Sequence, residues 1–357
     1  MEQRRPSEAP RGRGAAGNPT NRFETLTVER VEMEEPGPEK VPTVFLRDTT
    51  RSIIARNDSP DIGFEASVNP YRGCEHGCIY CYARPTHEYL GFSAGLDFET
   101  RILVKEDAPE LLRKELASPR WKPQLIAMSG VTDPYQPVER RLRLTRRCLE
   151  VLAEFRNPVA IVTKNALVRR DVDVLGELAR YQAAQVCVSV TSLDPEITRR
   201  MEPRTSHPRE RLDAIADLSA HGIPVVALVA PLVPGLTDHE LPGILAAAKE
   251  AGATSAAFVP VRLPGAVAGL FEEWLERHFP DRKEKVLNRI RGMRGGKLND
   301  PNFGSRFRGE GIFAEQMRAL FHATCRKLDI PLRSMELSTA AFRRPGAQLG
   351  LFDDPAA

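Results

Sequence analysis

Cysteine is scarce in this chain, and the scarcity excludes one class of protein at once. Six cysteines among 357 residues are too few for the disulfide framework of a small secreted domain. No apolar run reaches the roughly 20 residues that a bilayer-spanning helix needs. The longest, 223–233, contains Pro224 and Pro231 and is typical of a buried strand. We therefore expect no membrane partner and a location in the reducing cytoplasm.

The chain also lacks an excess of charge of either sign. Charged residues make up 28% of it, yet the formal net charge is only +3, so no overall field argues for nucleic acid. Residues 1–42 have few apolar positions and many Pro, Gly, Arg and Glu residues, which predicts a disordered tail. Its arginines are interpreted as solvated, with contact to nucleic acid as the alternative.

Three of the six cysteines stand close together, as Cys74-x3-Cys78-x2-Cys81. Three thiolates on one short, glycine-containing loop can hold an iron–sulfur cluster. A fourth thiolate is absent from this segment, so one metal position stays open for another ligand, as in catalytic metal sites. The alternative is a structural zinc site with His76 as its fourth ligand, although such sites usually take two separated ligand pairs.

Short apolar or β-branched segments alternate with amphipathic ones along most of the chain. The predicted strands are 62–68, 124–129, 158–163, 185–191, 223–230 and 254–260. The predicted helices are 107–117, 137–155, 171–180, 207–221 and 239–251. This alternation predicts an α/β fold with a parallel sheet, whose ligands bind at the carboxyl ends of the strands. The cysteine loop follows the first strand and so lies at that edge.

The cysteine motif, with Tyr80 directly before its last cysteine, resembles the signature of radical S-adenosylmethionine (SAM) enzymes, and the resemblance makes Tyr80 a candidate for contact with the cofactor. From about Val44 onward the chain is similar to a subgroup related to spore photoproduct lyase. The resemblance implies a partial, open (β/α)6 barrel of the TIM type, which we assign to residues 43–265. It also implies a [4Fe-4S] cluster on Cys74, Cys78 and Cys81, SAM on the open iron, and an electron donor such as flavodoxin or ferredoxin.

The loop after the second predicted strand is a candidate for binding the cofactor. It contains Ser129, Gly130, Thr132 and Asp133, and its small residues allow a ligand close to the backbone. The resemblance implies that this loop holds the amino group of SAM. A proline-initiated turn is the alternative.

Further candidates follow the other strands. Lys164 and Arg204 can bind the carboxylate of the cofactor, and ordinary surface positions or a surface ion pair are the alternatives. Ser189 and Thr191 point to one side of a strand by alternation, where a ribose or carboxylate would pair their hydroxyl groups. Pro231 begins an apolar loop that suits the face of an adenine, and a loop that only closes the barrel is the alternative.

The resemblance implies that SAM is cleaved reductively to a 5′-deoxyadenosyl radical, which removes a hydrogen atom from a substrate such as DNA or another nucleic acid. Spore photoproduct lyases carry a hydrogen-donating cysteine beside the loop after the second strand. Residues 129–133 contain no cysteine, which does not favour the same lyase reaction, and Tyr135 is a candidate for another hydrogen source. The alternative function is a non-enzymatic iron–sulfur or zinc protein that binds nucleic acid.

The C-terminal part changes character. Helical patterns over 266–345 predict an extension packed on the barrel, and the basic stretches 289–297 and 306–309 can follow a phosphate backbone. Solvated loops are the alternative for these stretches. The tail 346–357 resembles, at Gln348, Leu349, Leu351 and Phe352, the Q-L-x-L-F motif by which bacterial DNA repair and replication proteins dock to the sliding clamp. A tail folded back on its domain is the alternative.

Overall fold

The computed structural model describes residues 10–23 and 41–345. The strands in these ranges are β1 (Val44–Arg47), β2 (Ile54–Arg56), β3 (Ala66–Val68), β4 (Tyr71–Arg72), β5 (Arg101–Val104), β6 (Ile126–Met128), β7 (Val159–Thr163), β8 (Ala184–Ser189), β9 (Val225–Leu232) and β10 (Ser255–Pro260). A seven-stranded sheet has the order β10-β9-β8-β7-β6-β3-β2. Its neighbours run parallel except β2, which is antiparallel to β3. β10 and β2 are its two edges, so the barrel is open.

Helices follow most of the parallel strands and cover one face of the sheet. They are α1 (Leu96–Thr100), α2 (Ala108–Ala117), α3 (Glu139–Leu142), α4 (Leu144–Phe155), α5 (Val172–Ala179), α6 (Pro195–Met201), α7 (Pro208–Ala220), α8 (Leu241–Glu250), α9 (Val267–His278), α10 (Pro280–Gly292) and α11 (Gly311–Lys327). A second sheet of order β1-β5-β4 pairs β1 with β5 and β4, two strands of the crossover between β3 and β6. None of the helices described has the length and apolar character that a bilayer crossing requires.

Alternation along the strands separates the two faces of the large sheet. Val159, Ile161 and Val186 are fully buried in a core shared with side chains of α4, α5 and α7. Val162 and Cys187, which pair in register between β7 and β8, point to the other face and remain partly exposed. The sheet is therefore filled on its helix side and accessible on its inner side, as a barrel that admits a ligand must be.

The predicted α/β architecture is confirmed, with six parallel strands at the predicted places and a helical extension of α9, α10 and α11. One strand lies two residues further along the chain than the sequence indicated. β9 extends to Leu232, so Pro231 lies inside a strand rather than in the loop after it.

The predicted helix 137–155 is divided into α3 and α4 at Arg143, whose φ is 53°. The buried Glu139 carboxylate accepts the backbone N–H groups of Thr145 and Arg146 at the start of α4. A side chain that satisfies the free N–H groups of a first turn allows a new helix to begin there.

The prediction of a disordered tail over residues 1–42 is wrong for residues 10–23. Arg13 is 9% exposed and donates to the carbonyl oxygens of Glu99 at 3.0 Å and Val41 at 2.8 Å. Composition misled here because the partners of this segment lie far along the chain. The tail with the clamp-like motif lies outside the described residues.

Candidate metal and cofactor site

The loop that carries the three cysteines leaves the first parallel strand at its carboxyl end. Gly73 and Gly77 have φ angles of 80° and 66°, which glycine adopts without strain, and they fold the loop tightly. Cys74 and Cys78 are buried and Cys81 is half-buried. All three thiols are free, so the loop offers three sulfur ligands on one short segment.

The surroundings of the thiols bear on what they can bind. Burial, and next the Glu202 carboxylate, raise the pKa of the Cys78 thiol, and burial also raises the pKa of Cys81. Within residues 10–23 and 41–345, no three His, Cys, Asp or Glu side chains converge closely enough to hold one metal ion. Three thiolates on one loop are a ligand set for a multi-iron cluster, whereas a structural zinc ion usually takes four protein ligands.

His76, between the first two cysteines, joins the cysteine loop to neighbouring strand ends. Its Nε2 lies 3.1 Å from the Asn165 amide nitrogen, and its Nδ1 lies 3.4 Å from Asp133 Oδ2. Because both ring nitrogens have polar partners within the protein, neither is free to bind a metal ion. This argues against His76 as the fourth ligand of a zinc site.

Asp133 ties three loops together at the carboxyl edge. Its carboxylate accepts the Lys164 N–H at 2.8 Å, the Thr163 hydroxyl at 2.8 Å and the Tyr135 N–H at 2.9 Å, besides facing His76. Burial would raise the pKa of Asp133, but His76 and these hydrogen bonds hold it below its ordinary value. Contact between Asp133 and the SAM amino group stays a prediction. It would require the Asp133 carboxylate to accept a further hydrogen bond from SAM beside those that it already accepts from the protein.

The rest of that loop leaves room for a ligand. Ser129 and Gly130 have φ angles of 150° and 125°, a strained conformation for the serine. A side chain at Gly130 would meet only the Asn69 amide, at 3.9 Å. Thr132 donates to the Gly73 carbonyl at 2.8 Å, so the space beside Gly130 adjoins the cysteine loop.

Glu202 gathers two of the predicted cofactor residues. The hydroxyl groups of Tyr80 and Thr191 donate to its carboxylate, and Arg211 forms a fully buried ion pair with it. Neither Glu202 nor Arg211 was among the residues predicted from the sequence. No local signal joins this pair, because the chain must turn from α6 into α7 before the side chains meet.

The remaining candidates differ in whether their polar groups already have hydrogen-bond or ion-pair partners within the protein. Lys164 Nζ donates to the Ala230 carbonyl at 3.1 Å and keeps other N–H donors. Arg204 pairs with Glu75 of the cysteine loop at 3.1 Å. Ser189 is 1% exposed, and its hydroxyl has no hydrogen-bond partner in the described chain. A buried hydroxyl without a partner at a strand's carboxyl end is a ready contact for a ligand.

Tyr135 does not belong to this site. Its ring is fully buried in the core between sheet and helices, and its hydroxyl donates to Asp171 at 3.0 Å. The prediction of Tyr135 as a hydrogen source is therefore wrong, because sequence proximity to the loop says nothing about the side on which the ring packs. Cys187 lies on the inner face, two residues before Ser189.

A sequence profile of the Radical SAM superfamily matches residues 68–248 of the chain, from the end of β3 to α8. The chain belongs to the radical SAM superfamily. An uncharacterised protein of Mycobacterium tuberculosis is 39% identical over 243 residues, which cover 67% of this chain and 70% of that protein. The Radical SAM Nalpha-GlyT isomerase of Pseudomonas phage M6 is 27% identical over 175 residues, 48% of this chain and 34% of that protein.

Solved structures of spore photoproduct lyase share the fold. The complex with dinucleoside spore photoproduct has a TM-score of 0.54 and 17% identity, over 80% of this chain and 79% of that chain. A lyase variant with bound AdoMet and dinucleoside spore photoproduct has a TM-score of 0.54 and 15% identity over the same shares. At this identity the likeness concerns the partial barrel, which confirms the predicted fold.

Proposed function

We propose that this radical SAM protein is an enzyme that uses a [4Fe-4S] cluster and SAM to remove a hydrogen atom from its substrate. One observation carries the proposal: Cys74, Cys78 and Cys81 are free thiols on one loop at the carboxyl edge of the sheet. When bound, the cluster supplies one electron that breaks the S–C5′ bond of SAM, giving methionine and a 5′-deoxyadenosyl radical.

The chain's own residues fit these groups. The three thiols would hold the cluster, and Ser189, whose hydroxyl lacks a partner, would bind a hydroxyl or carboxylate of SAM. Lys164 has N–H donors left for a carboxylate, and the open space at Gly130 admits the cofactor beside the cysteine loop. The protein thus binds, orients and shields the reacting groups. A cytoplasmic location and a donor such as flavodoxin or ferredoxin belong to the proposal, because the electron must come from outside.

Reconstitution with iron and sulfide under anaerobic conditions, followed by dithionite and SAM, tests this proposal. The wild type should take up iron and form 5′-deoxyadenosine, and Cys78→Ser should lose both. Cys187→Ser is the matched control, since Cys187 lies on the inner face of β8 outside the cysteine loop, and it should keep its iron. Colourless protein with one zinc per chain would support the non-enzymatic alternative instead.

We further infer that the substrate is a nucleic acid, from a stack of arginine and aromatic side chains beside the cysteine loop. Arg262 lies 4.9 Å from the ring centroids of both Tyr82 and Phe307. Arg306 lies 4.9 Å from Phe307 and 4.7 Å from Phe303. The stack ends in exposed rings, Tyr82 at 48% and Phe303 at 59% exposure.

This stack has the chemistry of a single-strand binding surface, in which rings stack on bases and arginines face phosphates. Tyr82 directly follows Cys81, and its hydroxyl donates to the Gly130 carbonyl at 2.6 Å, so a base on its ring would lie beside the proposed cofactor loop. Spore photoproduct lyase, which shares the fold, holds a dinucleoside. That observation supports the same substrate class here.

Tyr82→Ala should weaken binding of a single-stranded oligonucleotide about 5- to 150-fold, because stacking contributes about 1–3 kcal/mol per base. Tyr89→Ala is the control, since Tyr89 is also exposed and packs beside an arginine, Arg22. Fluorescence anisotropy measures both. Equal losses, or no binding by the wild type, would reject nucleic acid and leave the radical chemistry intact. Binding without any 5′-deoxyadenosine formation would favour the non-enzymatic alternative.

A separate proposal concerns the C-terminal tail, which lies outside the described residues. We propose that Gln348, Leu349, Leu351 and Phe352 dock to the bacterial sliding clamp. Deletion of residues 347–357 should abolish binding to immobilised clamp, and so should alanine at both Leu351 and Phe352. Asn at Asp353 and Asp354 should leave binding unchanged. Undiminished binding after the deletion, or no binding by the full chain, would reject the proposal.

A further inference from the structure

Residues 10–23, here called the N-terminal cover, lie against the cysteine loop. The Glu99 carboxylate, which is fully buried, accepts the backbone N–H groups of Gly14 at 3.1 Å and Ala15 at 3.0 Å. The same carboxylate forms a buried ion pair with Arg84. Hydrogen bonds to a buried charged acceptor are stronger than those between neutral groups, so this contact anchors the middle of the cover.

The anchor continues into the cysteine loop itself. Arg84 Nε donates to the carbonyl oxygen of Cys78 at 3.0 Å. A second route begins at Arg13, which donates to the Thr43 hydroxyl at 3.0 Å. Thr43 in turn donates to Glu75, between the first two cysteines, at 2.9 Å. The cover is therefore joined to the loop on both sides of His76.

Packing shows that the approach is close and specific. A Cβ added at Gly14 would lie 2.0 Å from the Gly77 carbonyl oxygen, so only glycine fits there. Ala15 is buried in the same apolar cluster as Cys78 and Ile79. A Cβ at Gly17, three residues on, would meet nothing within 4 Å. The cover thus makes a tight contact at the Cβ position of Gly14, whereas the Cβ position of Gly17 is open.

The far end of the cover is held as well. Asn18 and Asp97 exchange two hydrogen bonds, at 3.0 and 3.1 Å, and Ser93 donates to the Pro19 carbonyl at 2.7 Å. Asn21 donates to the carbonyl oxygens of Glu88 and Phe92. Contacts along the whole segment distinguish a docked element from a tail that touches the surface at one place.

We infer that the N-terminal cover is part of the active site: it closes one side of the cysteine loop, holds Cys78 in position through Glu99 and Arg84, and limits access of water and oxygen to the metal group. Glu99 is a positioning residue, because it acts on Cys78 through Arg84. The shielding role rests on the proposed function, whereas the docking of the cover does not.

A pair of glycine substitutions tests docking without any metal. Gly14→Ala should force the cover off the loop and expose Arg13, whereas Gly17→Ala makes the same chemical change in open space. Tryptic cleavage after Arg13 should be about tenfold or more faster in Gly14→Ala, since proteolysis follows local opening. Cleavage after the exposed Arg11 serves as the internal reference. Circular dichroism should show equal folding of both variants, and equal cleavage after Arg13 would overturn the docking.

Reconstituted protein tests the shielding. The absorbance of the cluster should bleach in air several-fold faster in Gly14→Ala than in Gly17→Ala, and its reduced-state EPR spectrum should change. Glu99→Gln, which keeps the shape but loses the charge, should fall between them. Faster cleavage with unchanged bleaching would overturn the shielding role. Failure of the wild type to take up iron would overturn the proposed function and the shielding together, while the proteolysis result would still decide the docking.

Discussion

At the scale of single residues, the hydrogen bonding of each hydroxyl group indicates whether it is available to a ligand. Ser189 and Thr191 were predicted as a pair on one side of a strand. The structure shows that the Thr191 hydroxyl donates to Glu202 at 2.7 Å, whereas the Ser189 hydroxyl has no partner in the described chain. Since buried polar groups are nearly always paired, Ser189 is the better candidate for a cofactor contact.

Ser189→Ala should weaken SAM binding about 2- to 12-fold, because a hydrogen bond contributes about 0.5–1.5 kcal/mol. Ser255→Ala is the matched control. The Ser255 hydroxyl is also buried and without a partner in the described chain, but Ser255 is the first residue of β10 and so lies at the amino ends of the strands, away from the candidate site. Anaerobic calorimetry of the reconstituted variants measures both affinities. Equal effects of the two substitutions would reject a role of Ser189 in the site.

The buried pair Glu202–Arg211 should matter more for stability than any surface pair nearby. Glu202→Ala leaves the buried charge of Arg211 without its carboxylate, which costs about 3–5 kcal/mol. Glu196→Ala, which removes an exposed pair with Arg199, should cost less than about 1 kcal/mol. Urea unfolding of the apo variants gives both values. Similar urea midpoints for the two variants would show that the buried ion pair contributes no more to stability than the exposed one.

At the scale of elements, residues 299–309, here called the seam loop, connect the two edges of the open barrel. Arg306 forms a bidentate ion pair with Asp61, in the turn between β2 and β3. Phe307 stacks against Arg262, just after β10. Because β2 and β10 are the unpaired edges of the sheet, the seam loop lies where a closed barrel would have further strands.

The contact between Asp61 and Arg306 makes the seam loop sensitive to acid. Burial would raise the pKa of Asp61, but the hydrogen bonds from Arg306 and the Gly304 N–H lower it overall. A carboxyl group with a lowered pKa stabilises the folded state above its ordinary range and loses that effect as the pH falls through the folded value. The seam loop should therefore loosen below about pH 4.

Hydrogen exchange of residues 299–309, corrected for the intrinsic pH dependence, measures this loosening. Protection in the wild type should fall as the pH is lowered from 6 to 3, starting from about pH 4. Asp61→Asn should show low protection throughout, and Asp58→Asn, at an exposed position in the same turn, should behave like the wild type. A flat profile in the wild type would show that the ion pair does not order the loop.

At the scale of the whole molecule, the net charge of +3 is too small to concentrate nucleic acid over the surface. Under the proposed function, nucleic acid would bind to the local stack at Tyr82 and to a few basic residues, such as Lys297 and Arg308, both exposed. About three phosphate contacts would give a slope near −2 for log K against log salt concentration on single strands. Anisotropy titrations from low to high salt test this, and a slope several times steeper would indicate a larger basic surface than the stack.

Much of the architecture could be predicted from sequence because the signals are local. Apolar periodicity located all six parallel strands, and the position of the cysteine loop after the first of them placed it at their carboxyl edge. The pattern failed where a distant side chain decided the outcome: Glu139 divides the helix that was predicted over 137–155, and Glu99 holds a segment that composition assigned to disorder.

The sequence by itself determined the fold class and the cysteine loop, since strand periodicity and the three closely spaced cysteines are properties of neighbouring residues. Only the tertiary structure decided which polar groups remain free for ligands. Asp133 and Thr191 are occupied by partners from other strands, Ser189 is not, and Tyr135 packs on the helix side. These outcomes depend on distances between segments far apart in the chain, which periodicity and spacing do not encode.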